Sequence, residues 1–200
     1  MAPRGADPAA LNRTAGKPLT GQPMAITLDW WRYFLKQDPG WMWSGVSRPQ
    51  YEQLWDQSVE EFGSVLATDT ADLAGFRDRG GKAILWHGWA DQLIYAQGTI
   101  DYYQRVRERM GDKTPGFLRL FMAPGVAHCR GDPGPQPTGQ FEALVKWVEN
   151  GIVPEMPIAA GKTSAGATRS RPLCPYPLVA RYKGSGNIDE ASSFTCSSSF

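Results

Sequence analysis

The chain has 200 residues, 42% of them hydrophobic and 20% charged, with a formal net charge of +1 at pH 7. That length sustains one sizeable core. A charge so near zero gives no field to steer a nucleic acid or an anionic membrane surface, so neither is an expected partner. No apolar run approaches the roughly 20 residues that cross a bilayer. Residues 2–23 are broken by Pro and Gly and lack the apolar stretch of a signal peptide, so no secretion signal is expected on this chain.

In chain order, residues 1–23 carry little periodicity and are expected to form a flexible lead-in. An aromatic stretch follows: Leu28, Trp30, Trp31, Tyr33 and Phe34, then Trp41 and Trp43 beyond the Asp38-Pro39-Gly40 turn signal. Its simplest use is packing. Its other use is docking against a further part of the protein. From Tyr51 to about Phe62 a helix is predicted, because Tyr51, Leu54, Trp55, Val59 and Phe62 share one stripe at 3.6-residue spacing. A short helix over about Ala71 to Arg79 closes at Gly80-Gly81. Ala83-Ile84-Leu85-Trp86, bounded by glycines, suits a buried parallel strand. About Thr99 to Met110 reads as a helix with Ile100, Tyr103 and Val106 or Arg107 on one side and Gly111 as its stop. Leu118 to Met122 is a second strand, ended by Pro124-Gly125. Thr138 is placed to cap a last helix in which Phe141, Leu144, Val145 and Val148 share a face before Gly151.

This alternation of helix and strand is that of an α/β protein with a covered parallel sheet. From Ile152 the regular pattern fades, and Pro172, Pro175, Pro177 and the Ser/Gly-rich end predict an extended tail. The expected organisation is a lead-in (1–23), a body (24–151) and a tail of the same domain (152–200).

In parallel sheets ligands bind at the carboxyl ends of strands, and two titratable residues stand there. Asp91 follows the first strand and His128 the second, so the two side chains can meet above the sheet edge. A buried Asp that holds an imidazole Nδ1–H fixes its tautomer and stabilises the imidazolium. A lone Asp or His in a loop is more often a cap or a structural hydrogen-bonding residue. The chain has only two histidines, and His87, inside the strand-end motif, is better placed to organise the Asp91 turn. Three cysteines, Cys129, Cys174 and Cys196, allow either one pair plus one thiol or three reduced thiols.

Several motifs lead nowhere. No G-x-S-x-G elbow precedes Asp91. Ser44, Ser47 and Ser164 lack the flanking glycines and the apolar strand that a nucleophile elbow needs. Gly161-Lys162-Thr163 resembles the end of a phosphate loop, but Met156 stands where its first Gly belongs. Asn12-Arg13-Thr14 is a formal glycosylation sequon in the lead-in. No His/Cys cluster has zinc spacing.

Gly80 through Asp91, reading GGKAILWHGWAD, is similar to the acid-bearing segment of the tannase/feruloyl esterase family. Phe121 through Cys129, reading FMAPGVAHC, resembles its histidine segment. Trp147 to Gly151 resembles the helix end that follows, and Arg171 to Pro177 with Ala180-Arg181-Tyr182 its C-terminal signature. The resemblance runs in order from about Asp72 to Cys196. It implies a partial α/β-hydrolase fold, the C-terminal part of the sheet with its flanking helices, and a carboxylic ester hydrolase using a Ser-His-Asp mechanism on esters of aromatic acids such as gallate or ferulate. By the same resemblance Asp91 is the triad acid and His128 the base, and Cys174 and Cys196 form a disulfide. Cys129 pairs with a Cys beside the nucleophilic Ser, outside this chain. The chain is then a fragment lacking the Ser and the lid, inactive alone, with a small aromatic ester and the missing N-terminal half as its partners. No cofactor is expected, because the family's lid calcium site lies outside this chain. The parent enzyme would be secreted or periplasmic. The alternative is a non-catalytic or complementing module that binds through its exposed aromatic surface.

Overall fold

The computed structural model describes residues 13–15, 20–129 and 134–198. The described residues before Ala71 and those from Ala71 onward form two separate compact units.

In the first unit, the lead-in expected to be irregular contains an antiparallel strand pair, β1 (Arg13–Ala15) and β2 (Thr20–Gln22). Asn12 of the sequon lies outside the described residues. Helix α1 (Ala25–Asp29) runs into a π-helical turn, Trp30–Leu35, whose backbone closes from Lys36 N to Trp31 O at 2.8 Å. The Asp38-Pro39-Gly40 turn forms as predicted, with Gly40 N donating to Asp38 Oδ1 at 2.8 Å. Helix α2 (Arg48–Leu66) extends beyond the predicted span at both ends. Its start has a local cause: the Ser47 backbone N–H donates to Gln50 Oε1 at 2.9 Å, and Pro49 sits in the first turn.

The aromatic stretch is used for packing. Trp31, Leu35 and Leu54 are buried, with Trp30, Trp41, Val46 and Phe62 against them. Trp31 stacks on Trp41 and Tyr51, and Trp30 Nε1 donates to Ser58 Oγ at 2.8 Å. The predicted α2 stripe is only partly used, for Leu54 is buried while Tyr51, Trp55 and Val59 are exposed.

The second unit begins with α3 (Ala74–Asp78), whose entry is fixed by Asp72 Oδ1 accepting from Ala74 N at 3.1 Å. Strand β3 (Ala83–Gly88) pairs in parallel with β4 (Leu118–Ala123), in register from Ala83↔Leu118 to Gly88↔Ala123. The crossover between them is α4 (Ala96–Met110). Its buried residues Ala96, Ile100, Tyr103 and Val106 pack with Leu118, Leu120 and Met122, every second residue of β4. The other face of β4, Phe121 and Ala123, packs with Val126, Ala159 and Leu173. Burial on both faces is why β4 reads as an apolar run broken only by Arg119. Each large side chain so buried contributes roughly 1.5–3 kcal/mol.

Helix α5 (Gln140–Asn150) follows the two-residue strand β5 (Gln136–Pro137) and departs from expectation in two ways. Its N-cap is Gly139, at φ 68°, while the Thr138 hydroxyl donates to Ile158 O at 2.9 Å. A left-handed entry residue takes the cap, and Thr138 is drawn into the neighbouring strand. The inward stripe is Gln140, Ala143, Leu144 and the buried Trp147, whereas Phe141 and Val148 are exposed. Trp147 is the largest side chain on the helix, and burying it sets the rotation. Lys82 Nζ lies 5.6 Å from its ring centre.

The tail is extended as predicted but not irregular. β6 (Ile158–Lys162) pairs antiparallel with β5 and with β7 (Thr168–Pro172), and β8 (Val179–Tyr182) with β9 (Phe194–Ser197). These strands are short and rich in Arg, Ser, Gly and Thr, so pairing rather than apolar alternation holds them. The Cys174–Cys196 disulfide is formed. Tyr176 N donates to Leu120 O at 2.8 Å, and Pro175 bridges to Phe121, laying the tail along the outer edge of β4.

Candidate active site

Two loops leave the carboxyl ends of β3 and β4 and are stitched together by backbone bonds. Trp89 N donates to Ala123 O and Ala90 N to Val126 O, both at 3.0 Å. Gly88 makes this approach possible, because a Cβ there would lie 2.1 Å from Val126 O. The stitching brings Asp91, three residues past β3, onto His128, five past β4. Nδ1 of His128 is 3.2 Å from Asp91 Oδ1 and 3.1 Å from Oδ2. The pair placed at the strand ends from sequence therefore meets.

Asp91 is nearly buried, at 8% side-chain exposure, while His128 is 35% exposed. Both carboxylate oxygens are acceptors only when ionised, so the imidazole must present Nδ1–H to them. In the neutral ring this leaves the Nε2 lone pair directed away from Asp91. Among the described residues Nε2 of His128 has no hydrogen-bond partner. The carboxylate is prepared from the other side by its own loop, with Leu93 N donating to Oδ1 at 2.9 Å and Ile94 N at 2.8 Å. Burial pushes the Asp91 carboxyl up. The backbone donors Ile94 and Leu93, followed by His128, outweigh burial and hold the carboxyl below its ordinary value.

The sign of that shift sets a pH dependence. A carboxyl with a depressed folded-state value stabilises the fold fully above its unfolded value, about pH 4, and the contribution disappears as pH falls through the folded value. The Tm advantage of the native chain over Asp91→Asn is expected to be constant from about pH 7 to 5 and to shrink below about pH 4. Scanning calorimetry across that range checks it. An advantage that grows on acidification would reverse the sign.

Two further contacts, one to His128 and one to the neighbouring His87, were not found from sequence. Gln92 Oε1 accepts from the His128 backbone N–H at 3.2 Å, and Thr99 Oγ1 lies 2.7 Å from Nδ1 of His87. Adjacency to Asp91 was the only sequence signal for Gln92, and Thr99 gave none. Cys129, next to His128, is exposed, unpaired among the described residues and in the left-handed region at φ 63°.

The discarded serines have ordinary roles. Ser47 starts α2, Ser44 sits in the 3₁₀ turn Trp43–Gly45, and Ser164 lies in the turn between β6 and β7. Gly161 and Lys162 pair with β7, and no phosphate loop forms there. Among the described residues no three His, Cys, Asp or Glu side chains gather as a metal site requires, and no helix is long and apolar enough to cross a membrane.

A carboxylate that orients an imidazole at the carboxyl edge of parallel strands is the arrangement α/β hydrolases use for their acid and base. The family description "Tannase and feruloyl esterase" matches residues 31–197, and the chain belongs to that family. It is 40% identical over 184 residues to a probable feruloyl esterase of Arthroderma benhamiae, covering 89% of this chain and 34% of the relative. Over 134 residues it is 49% identical to the mono(2-hydroxyethyl) terephthalate hydrolase of Piscinibacter sakaiensis, covering 65% of this chain and 22% of that enzyme. Among solved structures, an esterase from Aspergillus oryzae superposes with a TM-score of 0.76 at 33% identity, over 88% of this chain and 38% of the esterase. The chain thus spans about a third or less of the length of these curated relatives.

Proposed function

We propose that this chain carries the acid and base of a serine carboxylic ester hydrolase acting on esters of aromatic acids, with Asp91 as the acid and His128 as the general base. The observation that carries the reading is the doubly contacted Nδ1 of His128, 3.1 and 3.2 Å from the two Asp91 oxygens, with Nε2 turned away from them. The nucleophilic Ser is supplied by sequence outside these residues, as is the lid. A single parallel partner for β3 among the described strands supports this, because its other edge is open to a further strand.

His128 Nε2 takes the Ser proton as the oxygen attacks the ester carbonyl. The imidazolium, stabilised by Asp91, then returns that proton to the departing alcohol, leaving an acyl-enzyme. Water, deprotonated by the same nitrogen, releases the aromatic acid and restores the Ser. Exposed Cys129 beside His128 is placed to pair with a Cys next to the Ser, which would tie base and nucleophile covalently. The Cys174–Cys196 disulfide fits an oxidising compartment, outside the cytosol. The names of the relatives favour feruloyl esters and, for the bacterial one, a terephthalate monoester.

The test is hydrolysis of methyl gallate, methyl ferulate and mono(2-hydroxyethyl) terephthalate. It compares the chain alone with a hybrid in which the chain replaces its counterpart in the Arthroderma relative. The chain alone is expected to be no faster than its His128→Ala form, and the hybrid to turn over at least one ester in a manner that His128→Ala abolishes. Turnover by the lone chain that depends on His128 would overturn the need for an outside Ser. A hybrid indifferent to His128→Ala would overturn the base assignment.

A further inference from the structure

His87 stands outside the Asp91–His128 pair, yet its ring is as fully engaged. It lies on the same face of β3 as Leu85, which packs against the α4 cluster, so its side chain meets the first turn of α4. The side chain is 11% exposed. Nδ1 is 2.7 Å from Thr99 Oγ1, and Nε2 is 3.1 Å from the Ile94 carbonyl and 3.2 Å from Asp91 Oδ2.

These partners decide the tautomer. A carbonyl and a carboxylate only accept, so a bare Nε2 would set three acceptors against one another in a buried place. The proton belongs on Nε2. Thr99 is the one neighbour able to donate or accept, and its hydroxyl can therefore donate to Nδ1 of the neutral ring. The consequence for Asp91 lies in how its two oxygens are held. Oδ1 is fixed by Leu93 N and Ile94 N, whereas among the described residues Oδ2 meets His128 and His87 alone. Without His87 the carboxylate is anchored at one oxygen and can swing about its Cβ–Cγ bond.

We propose that His87 is a positioning residue: held by Thr99 as the neutral Nε2–H tautomer, it donates to Asp91 Oδ2 and keeps both carboxylate oxygens on the His128 Nδ1–H. This rests on the reading of Asp91 and His128 as acid and base. Thr99 sets the tautomer of His87, His87 sets the rotation of Asp91, and Asp91 sets the tautomer of His128. A merely space-filling His87 would leave the proton on His128 where it is.

The whole chain contains two imidazoles, so long-range ¹H–¹⁵N correlation of the labelled protein at mildly alkaline pH reads both tautomers without any need for activity. His87 is expected as Nε2–H and His128 as Nδ1–H. Thr99→Val should make His87 a tautomer mixture. His87→Leu should lower the Nδ1–H to Nε2–H ratio of His128 roughly fivefold or more, the scale of one lost hydrogen bond. His87→Gln, whose amide N–H reaches the same oxygen, should restore it. A native His87 protonated on Nδ1, alone or together with Nε2, would overturn the proposal without any variant having to fold. So would a His128 in the Nδ1–H form that folded His87→Leu leaves unchanged, and this result would leave the acid–base reading intact. A native His128 that is not Nδ1–H would overturn that reading and the role of His87 with it.

Discussion

In the Ser-complemented hybrid, Asp91→Asn is expected to lower kcat by about 10⁴-fold, the scale seen when a triad acid is made an amide. KM should change little. The reason is tautomeric. Leu93 N and Ile94 N both donate to the Oδ1 position, at 2.9 and 2.8 Å, so the Asn carbonyl is compelled to occupy that place. Its NH₂ then stands where Oδ2 was, facing His128 Nδ1 and His87 Nε2. Donation from that NH₂ makes His128 Nδ1 an acceptor and moves the ring proton to Nε2, the nitrogen that must be bare to deprotonate a serine. The same NH₂ opposes the proton on His87 Nε2 and drives it toward Nδ1, where Thr99 Oγ1 can accept. Side-chain shape is preserved, so the variant should fold at neutral pH, and single-turnover kinetics should show the loss in acylation and deacylation alike, since both need a bare Nε2. A loss of less than about tenfold would mean that Asp91 does not set the protonation of His128, whatever their separation.

The meeting of Asp91 and His128 was legible because it depends on local signals that tertiary structure rarely overrides. Two short apolar runs, each ended by Gly or Pro, fix two strands, and the strand ends fix where the next polar residues emerge. The supporting contacts were not legible. Thr99 reaches His87 only because the His87 face of β3 packs under α4, and Gln92 reaches the His128 backbone only because Gly88 lets the two loops close. Residue type and spacing carry neither fact. The α5 face was misplaced for a related reason: the 3.6-residue pattern counts Phe141 and Val148 as apolar, but burial of the larger Trp147 decides the rotation. In the tail, β7 reads Thr-Arg-Ser-Arg-Pro and carries no alternation. Its arginines are held by Asp189, at 2.6 Å from Arg169 and 3.8 Å from Arg171, and by the Phe194 ring 4.5 Å from the Arg171 guanidinium. Strands built on such contacts become visible only once their partners are in place.

Loss of the Cys174–Cys196 bond is expected to destabilise the second unit by about 3 kcal/mol in the chain-entropy description of a cross-link of this span. For a unit of this size that corresponds to a Tm lower by roughly 10 °C. The sequence separation is 22 residues, and between the two cysteines the chain buries little that would hold it otherwise. Tyr182 and Phe194 meet edge to face, and Ala191 and Ser193 are buried, but Ile188 and Tyr182 remain largely exposed. Cys174 itself is buried beside Leu173, a member of the cluster under Phe121 and Val126. The bond therefore fastens a weakly packed hairpin to the strand that leads into His128. Reductant should lower the Tm of the native chain but not that of a Cys174→Ala, Cys196→Ala double variant, which starts low. The same treatment should speed amide exchange at Tyr176, whose N–H donates to Leu120 O on the outer edge of β4. A reduced protein within about 2 °C of the oxidised one would show that the β8–β9 hairpin is held by its own pairing, and that the edge of β4 is covered without help from the cross-link.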